Sequence, residues 1–264
     1  MIGLAGCGRI GAPMLDALIE NGFSARGFDV VPKTSDEITN DPVSFAQDLE
    51  TLITVVRDIE QTDDVLFGAQ NFSSLPSLKR IIVSSTLSPR YVRNLRNRIP
   101  EHISLIDAPM SGAQIAAENG TLSFMLGGTP HDLDAAQPLF DAMGEHFHRM
   151  GAFGSGMQAK VLNNLLAASN TAMTRLVLDW ADDAGIDETA LLNLIHTSSG
   201  QNWLASGFND IEFARDGHDP SNTIAILVKD VASALDAAPI GANTALPKTV
   251  QAAIKSLKPR PKTT

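Results

Sequence analysis

Met1-Ile2-Gly3-Leu4-Ala5-Gly6-Cys7-Gly8-Arg9-Ile10-Gly11 opens the chain, and the reading of these residues decides the fold. Met1 to Ala5 has the character of a short strand, the glycines follow at once, and Ala12 to Asn21 continues with helical periodicity. The pattern is G-x-G-x-x-G between a strand and a helix. Gly6 allows the tight turn, Gly8 lets a pyrophosphate approach the backbone, and Gly11 lets the helix pack close to the sheet. Arg9 and Ile10 belong to the same turn, and the helix start offers N–H groups to phosphates.

The next apolar run, Phe23 to Phe28, ends at Asp29, eighteen residues past Gly11. An acid at this place accepts hydrogen bonds from a ribose 2′-OH and repels a 2′-phosphate. The expected cofactor is therefore NAD, with NADP less favoured; Lys33 nearby argues the other way. Further β/α alternation follows, with Leu52 to Val56 and Arg80 to Val83 as strands and Ile59 to Phe67 and Pro89 to Arg98 as helices. Isoleucine and valine dominate these strands, as a sheet covered on both faces requires. Ser84-Ser85-Thr86-Leu87-Ser88-Pro89 sits at a strand's carboxyl end, where open α/β sheets bind ligands. Ser88 also reads as an ordinary N-cap before Pro89, and Thr86 lies outside that cap.

Ile103 to Ile106 leads into Asp107-Ala108-Pro109-Met110-Ser111-Gly112-Ala113-Gln114, and the chain returns through Asn119-Gly120-Thr121-Leu122 to Gly127-Gly128. Backbone N–H groups around a Ser-Gly turn form a concavity suited to a carboxylate, with the Ser111 hydroxyl as a further donor. A plain hairpin accounts for the same residues, and this stretch alone does not decide between them.

From Gly154 the alternation stops. Gly154-Ser155-Gly156 runs into a long apolar helix, Lys160 to Ala184, in which Lys160 and Asn164 stand four apart and share one face. Most helical lysines are exposed. One near a helix start and removed from water has its charged form disfavoured, which equips it to trade protons near neutral pH. Leu162, Leu165, Leu166, Leu176, Val177 and Trp180 make this helix either the core of a second domain or a subunit interface. Ile186 to Ile195 and Ile224 to Ala237 are further helices, and the basic tail of Lys255, Lys258, Arg260 and Lys262, broken by Pro259 and Pro261, is expected to fray.

At 264 residues, 44% hydrophobic and 19% charged, the chain has room for two domains, placed at 1–153 and 154–264. The fold class is α/β, an N-terminal Rossmann doubly wound sheet followed by an all-α domain. The net charge of −10 disfavours nucleic acid or an anionic membrane as partner. Cys7 is the single cysteine, which excludes an intramolecular disulfide, and it reads as a small space-filler. His146 and His148 share one strand face without a third ligand, so no metal is expected. With no leader ahead of the first strand and no apolar run near the ~20 residues of a membrane helix, a cytoplasmic location is expected.

In their order these segments resemble the β-hydroxyacid dehydrogenase family, and within it the 3-hydroxyisobutyrate dehydrogenases. The match covers the glycine motif, Phe28-Asp29-Val30-Val31-Pro32, Ser85-Thr86, Asp107 to Gly112, Gly120-Thr121-Leu122, Gly154 through Lys160 to Asn164, Ser198-Ser199-Gly200 with Trp203, and Lys229-Asp230. The resemblance implies NAD-dependent oxidation of a small 3-hydroxy carboxylic acid. It implies Lys160 as acid/base, Asn164 as its partner in holding substrate, and Ser111 and Gly112 as carboxylate ligands. Val56, Arg57, Thr86 and Lys229 would contact the dinucleotide beside Gly6, Gly8, Arg9, Ile10, Gly11 and Asp29. Assembly as a homodimer or homotetramer through the helical part is implied too. An imine reductase shares the architecture but typically lacks the lysine, and a cofactor-binding scaffold without catalysis is the reading from another class. The sequence departs from the family at Ala113 and Ile115, where glycines are usual, and at Asn222, where phenylalanine is usual, so a substrate loop of different shape is expected. Relatives also carry a closing segment beyond Leu246-Pro247 that is expected to be shortened here.

Overall fold

A computed structural model describes residues 1–261; Lys262 of the basic tail lies outside them. The chain forms two compact units, Met1–Lys160 and a second beginning at Val161. The first holds all the strands: β1 (Ile2–Ala5), β2 (Ala25–Phe28), β3 (Ile38–Thr39), β4 (Thr51–Thr54), β5 (Arg80–Val83), β6 (Ser104–Asp107), β7 (Met110–Ser111), β8 (Leu122–Gly127) and β9 (Gly144–Gly151). Its helices are α1 (Gly11–Glu20), α2 (Pro42–Ala46), α3 (Ile59–Leu66), α4 (Pro89–Arg98), α5 (Ala113–Glu118) and α6 (Pro130–Met143). Helix α7 (Ser155–Asp183) starts in the first unit and continues into the second, which adds α8 (Glu188–His196), α9 (Trp203–Ser206), α10 (Thr223–Asp236) and α11 (Ala245–Lys255).

The strands form one sheet in the order β3-β2-β1-β4-β5-β6-β8-β7, with β9 on β8. The pairs from β3 to β6 are parallel; β8 runs antiparallel to β6. The chain moves outward through β1, β2 and β3, returns to the other side of β1, and moves outward again through β4, β5 and β6. Its switch point lies between β1 and β4, and the fold is the expected doubly wound α/β sheet with a helical C-terminal part. Both faces are covered. Leu4, Ile53, Ile82 and Ile106 pack against Met14, Leu15 and Leu18 of α1 and Phe140 of α6. On the other face Leu52, Ile81 and Val83 meet Phe45, Val65 and Leu95 from α2, α3 and α4. Consecutive strand residues thus serve opposite cores, which explains the unbroken apolar runs.

Differences from the sequence reading have local causes. The strand expected to reach Val56 leaves the ladder earlier because the Val56 N–H goes to Ser85 Oγ at 2.9 Å. The Asp107–Gly128 stretch is a hairpin with an insert: Met110 and Ser111 pair antiparallel with Phe124 and Ser123, and α5 lies between. Ser88 caps α4, its Oγ accepting from the Arg90 N–H at 3.2 Å.

The expectation of a frayed tail is wrong. Lys255 ends α11, whose Val250 and Ile254 are buried in the second core with Leu178, Phe208 and Ile224. Arg260 is 8% exposed; its Nε donates to Glu188 Oε2 at 2.6 Å, Nη1 to Asp179 at 2.9 Å and Nη2 to Asp182 at 2.8 Å. Arg215 donates to Glu188 and to the Pro261 carbonyl, and Arg175 to the Lys258 carbonyl. Pro259 and Pro261 prevent a helix here but leave the cation able to find acids on α7 and α8. Among the described residues no helix is long and apolar enough to cross a membrane.

Burial alone would raise the Glu188 pKa, but hydrogen bonds from Arg215 and Arg260 outweigh it and hold the carboxyl below the usual range. A carboxylate depressed in the folded state contributes stability above its unfolded pKa, and that contribution is lost as the pH falls through the folded value. Arg260→Ala is expected to lower the unfolding free energy by about 2 kcal/mol at pH 7, because buried Glu188 loses one of its two charged donors while keeping Arg215. Urea titrations at pH 7 and pH 3 check this; the gap between parent and variant should narrow at the lower pH.

Candidate active site

The first group of site residues gathers at the β1–α1 turn. A Cβ at Gly11 would lie 1.9 Å from the Gly6 carbonyl oxygen, so α1 seats on the turn only with glycine there. Around Gly8 the opposite holds: nothing stands within 4 Å of where its Cβ would be. Helix α1 begins without a side-chain cap or an acid in its first turn. An open backbone cradle before uncapped N–H groups fits the pyrophosphate of a dinucleotide. Arg9 is exposed beside it, and Ile10 packs onto the core. Cys7 is buried, its Sγ 3.6 Å from the Leu4 and Phe28 carbonyls; burial first and the Asp29 charge second push the thiol up to about 12. It is an inert filler.

Asp29 stands at the end of β2, its Oδ1 accepting the Val31 N–H at 2.9 Å and its Oδ2 lying 3.5 Å from Lys33 Nζ. The lysine that argued for NADP is therefore engaged with the acid that argued against it. Val56 borders the turn: its Cγ1 would be 2.9 Å from a Cβ at Gly6. The Arg57 N–H donates to Gln61 Oε1 at 3.0 Å, leaving the residue exposed at the start of α3. Thr86 is half-buried, while Ser85 before it holds the Val56 N–H. The sequence offers one signal for this role of Ser85, a hydroxyl just past a strand end.

The second group belongs to β7 and the start of α7. Lys160 is 7% exposed, and its Nζ donates to Ser111 Oγ at 2.9 Å. Gly112, after Ser111, has φ +136°, and Ala113 follows at φ +57°, a left-handed conformation that strains any residue with a Cβ. This is where the family uses glycine, so the departure read from the sequence carries a backbone cost. Asp107, at the end of β6, has no exposure; it accepts the Gly154 and Met157 N–H groups at 2.6 Å and 2.5 Å. Nothing in the local sequence assigned it that task.

Within the second unit, Asn164 is 8% exposed and donates Nδ2 to Asp230 Oδ2 at 2.6 Å. Lys229 Nζ lies 3.1 Å from Asp230 Oδ1. Asp230, next to Lys229 in sequence, is thus the common partner of two expected site residues. Asn222 caps α10 through the Ala225 N–H and donates to the Gly217 carbonyl at 2.8 Å, which explains a polar residue at a position usually aromatic.

Residues 1–152 match the family described as the NAD binding domain of 6-phosphogluconate dehydrogenase, and residues 154–261 the one described as NAD-binding of NADP-dependent 3-hydroxyisobutyrate dehydrogenase. Over 254 residues, 90% of this chain and 75% of the relative, it is 30% identical to the mitochondrial 3-hydroxyisobutyrate dehydrogenase of Rattus norvegicus. The chain belongs to the β-hydroxyacid dehydrogenase family. It is also 27% identical to the L-threonate dehydrogenase of Cupriavidus necator, over 90% of this chain and 83% of that one. A 3-hydroxyisobutyrate dehydrogenase from Mycobacterium tuberculosis, solved with L-serine, superposes with a TM-score of 0.79 at 25% identity, covering 97% and 95% of the two chains. The family is one of NAD(P)-dependent 3-hydroxyacid dehydrogenases, and the chain is an oxidoreductase of that class with an N-terminal domain that binds NAD.

Relieving the strain in this dehydrogenase's β7–α5 turn tests the backbone reading. Ala113→Gly is expected to raise the unfolding free energy of the first unit by up to about 1 kcal/mol, the left-handed penalty less the entropy that glycine adds to the unfolded chain. Thermal melts of parent and variant measure it, and a drop of similar size would contradict the assigned conformation.

Proposed function

We propose that the chain oxidises a small 3-hydroxy carboxylic acid of the 3-hydroxyisobutyrate kind to its semialdehyde or keto acid, with Lys160 as acid and base. The observation that carries this reading is the buried Lys160 with its Nζ 2.9 Å from Ser111 Oγ. A substrate whose carboxylate occupies the Ser111-Gly112 turn has its hydroxyl within reach of that nitrogen. Unprotonated Lys160 takes the hydroxyl proton as the C–H bond gives up its hydride and the carbonyl forms; in reverse, the ammonium returns the proton. NAD, when bound, supplies the hydride acceptor. Gly6, Gly8, Arg9, Ile10, Gly11, Asp29, Val56, Arg57, Thr86 and Lys229 hold it in this reading, and Asn164 helps hold the substrate. Residues 1–153 are then the NAD-binding domain, which also supplies the Ser111-Gly112 turn, and those from 154 onward are the helical domain that supplies Lys160, Asn164 and Lys229 and the surface for assembly. Relatives named for 3-hydroxyisobutyrate and for L-threonate support the substrate class.

NADH formation against a panel of 3-hydroxy acids, with NADP in parallel, tests the proposal. Lys160→Ala should lose ~10²–10⁴-fold in turnover while NAD binding, followed by fluorescence titration, is retained. Unchanged turnover would remove Lys160 from the chemistry.

We also infer that the helical unit pairs with a second copy. Helix α7 exposes Leu162, Leu166, Met173, Leu176 and Trp180 at 53, 67, 60, 40 and 66%, spaced three, four or seven apart so that they form one apolar stripe. Light scattering should give a multiple of the chain mass, and the double variant Leu166→Glu with Trp180→Glu should give the monomer; a parent already monomeric refutes it.

A further inference from the structure

We propose that Asp107 is the residue that positions Lys160, by tying the first turn of α7 to the end of β6 so that the lysine meets Ser111. This rests on the reading of Lys160 above. Asp107 ends β6 and Ser111 lies four residues on, past Pro109; Gly154 and Met157 bracket the start of α7 and Lys160 lies three residues on. Asp107 Oδ1 takes the Gly154 N–H at 2.6 Å and Oδ2 the Met157 N–H at 2.5 Å. The two halves of the Lys160–Ser111 contact are therefore each one short chain segment from the same carboxyl group. Two backbone N–H groups on separate oxygens fix the rotation as well as the position of the helix start, and rotation decides where a side chain one turn further on points.

The site is built around this group. A Cβ at Gly127, the partner of Asp107 across the β6–β8 ladder, would lie 2.1 Å from Asp107 Oδ1, and one at Gly156 would lie 3.0 Å from the Asp107 carbonyl oxygen and 2.2 Å from that of Met125. Helix α7 thus seats directly on the strand ends. Leu87 N–H approaches Met157 Sδ at 3.3 Å and Arg93 of α4 donates to Gln158 at 3.2 Å, so the same turn is held from α4 and the loop before it. Burial raises the carboxyl to about 6 against the opposing N–H groups of Gly154 and Met157 and the Arg93 charge. Its parallel neighbour on β5, Val83, and its partner on β8, Gly127, carry no charge. A carboxylate kept here at that expense, where an apolar residue would fill the space, is consistent with a task beyond packing.

The experiment compares the parent with Asp107→Asn, which keeps the volume but turns a donor toward one of the two N–H groups. Lys160 is labelled with acetic anhydride and read by mass spectrometry, while Cys7, buried in the same unit, is probed with iodoacetamide as a reporter of its fold. The expected result is Lys160 labelling at least tenfold faster in the variant with Cys7 still silent, and turnover lowered up to ~10²-fold, the effect of a displacement of about 1 Å, at an unchanged KM for NAD. Labelling within twofold of the parent overturns the proposal. So does simultaneous exposure of Cys7 and a raised KM for NAD, which would make Asp107 a general support of the fold. Should Asp107→Asn fail to fold, Asp107→Ser, retaining one acceptor, is measured against the same outcomes. Lys160→Ala keeps the two readings apart: full turnover in that variant removes Lys160 from the chemistry, whereas the labelling result still decides what Asp107 positions.

Discussion

A parallel sheet with both faces covered leaves a chain few places to put chemistry. The faces of β1, β4 and β5 are occupied by the side chains of α1 to α4 and α6, so polar groups accumulate where the strands end. Because these strands share one direction, their carboxyl ends lie along one edge. Gly6 follows β1, Asp29 follows β2, Ser85 and Thr86 follow β5, and Asp107 closes β6. Asp29, Ser85 and Thr86 come after the last strand residue, and Asp107 is the last residue of its strand, buried but paired with backbone N–H groups. The switch point between β1 and β4 adds the space that a dinucleotide needs.

The same edge solves a second problem, the start of α7. A helix begins with N–H groups that have no intrahelical partner, and a start seated on the sheet cannot leave them to water. Asp107 accepts two of them from a distance, in place of the local Ser, Thr or Asp caps found on α2, α3, α4, α6 and α8. A local cap fixes where a helix begins. A cap supplied by a strand also fixes the helix against the sheet, and this is what a lysine in the second turn requires if it is to meet a serine on β7.

The glycine turn, Asp29 and the Lys160–Asn164 pair are legible in the sequence as candidates because they rest on local spacing, and so are the doubly wound sheet and, to within two residues, the limits of α1, α3, α4, α8 and α10. What escaped depends on partners far along the chain. Asp107 lies 47 and 50 residues from the amides it holds, Asp230 lies 66 from Asn164, and Arg260 lies between 72 and 81 from its acids. Read locally, the tail was cations and prolines, the composition of a loose end. Val250 and Ile254, one turn apart, are the local sign of α11.

Cofactor choice shows how a local motif can carry more than one meaning until its side chains are placed. Asp29 at the end of β2 favours a free 2′-hydroxyl, and Lys33 four residues on would favour a phosphate. With Lys33 Nζ 3.5 Å from Asp29 Oδ2, the two are a single unit rather than competing signals. The ion pair softens the negative field at the ribose without reversing it, because a 2′-phosphate would have to draw Lys33 away from Asp29 and then face the bare carboxylate. Asp29 meanwhile keeps Oδ1 on the Val31 N–H, so its orientation does not depend on the lysine. A preference for the unphosphorylated dinucleotide is what this arrangement leads one to expect, because the carboxylate is held by backbone while the lysine, among the described residues, pairs with that carboxylate.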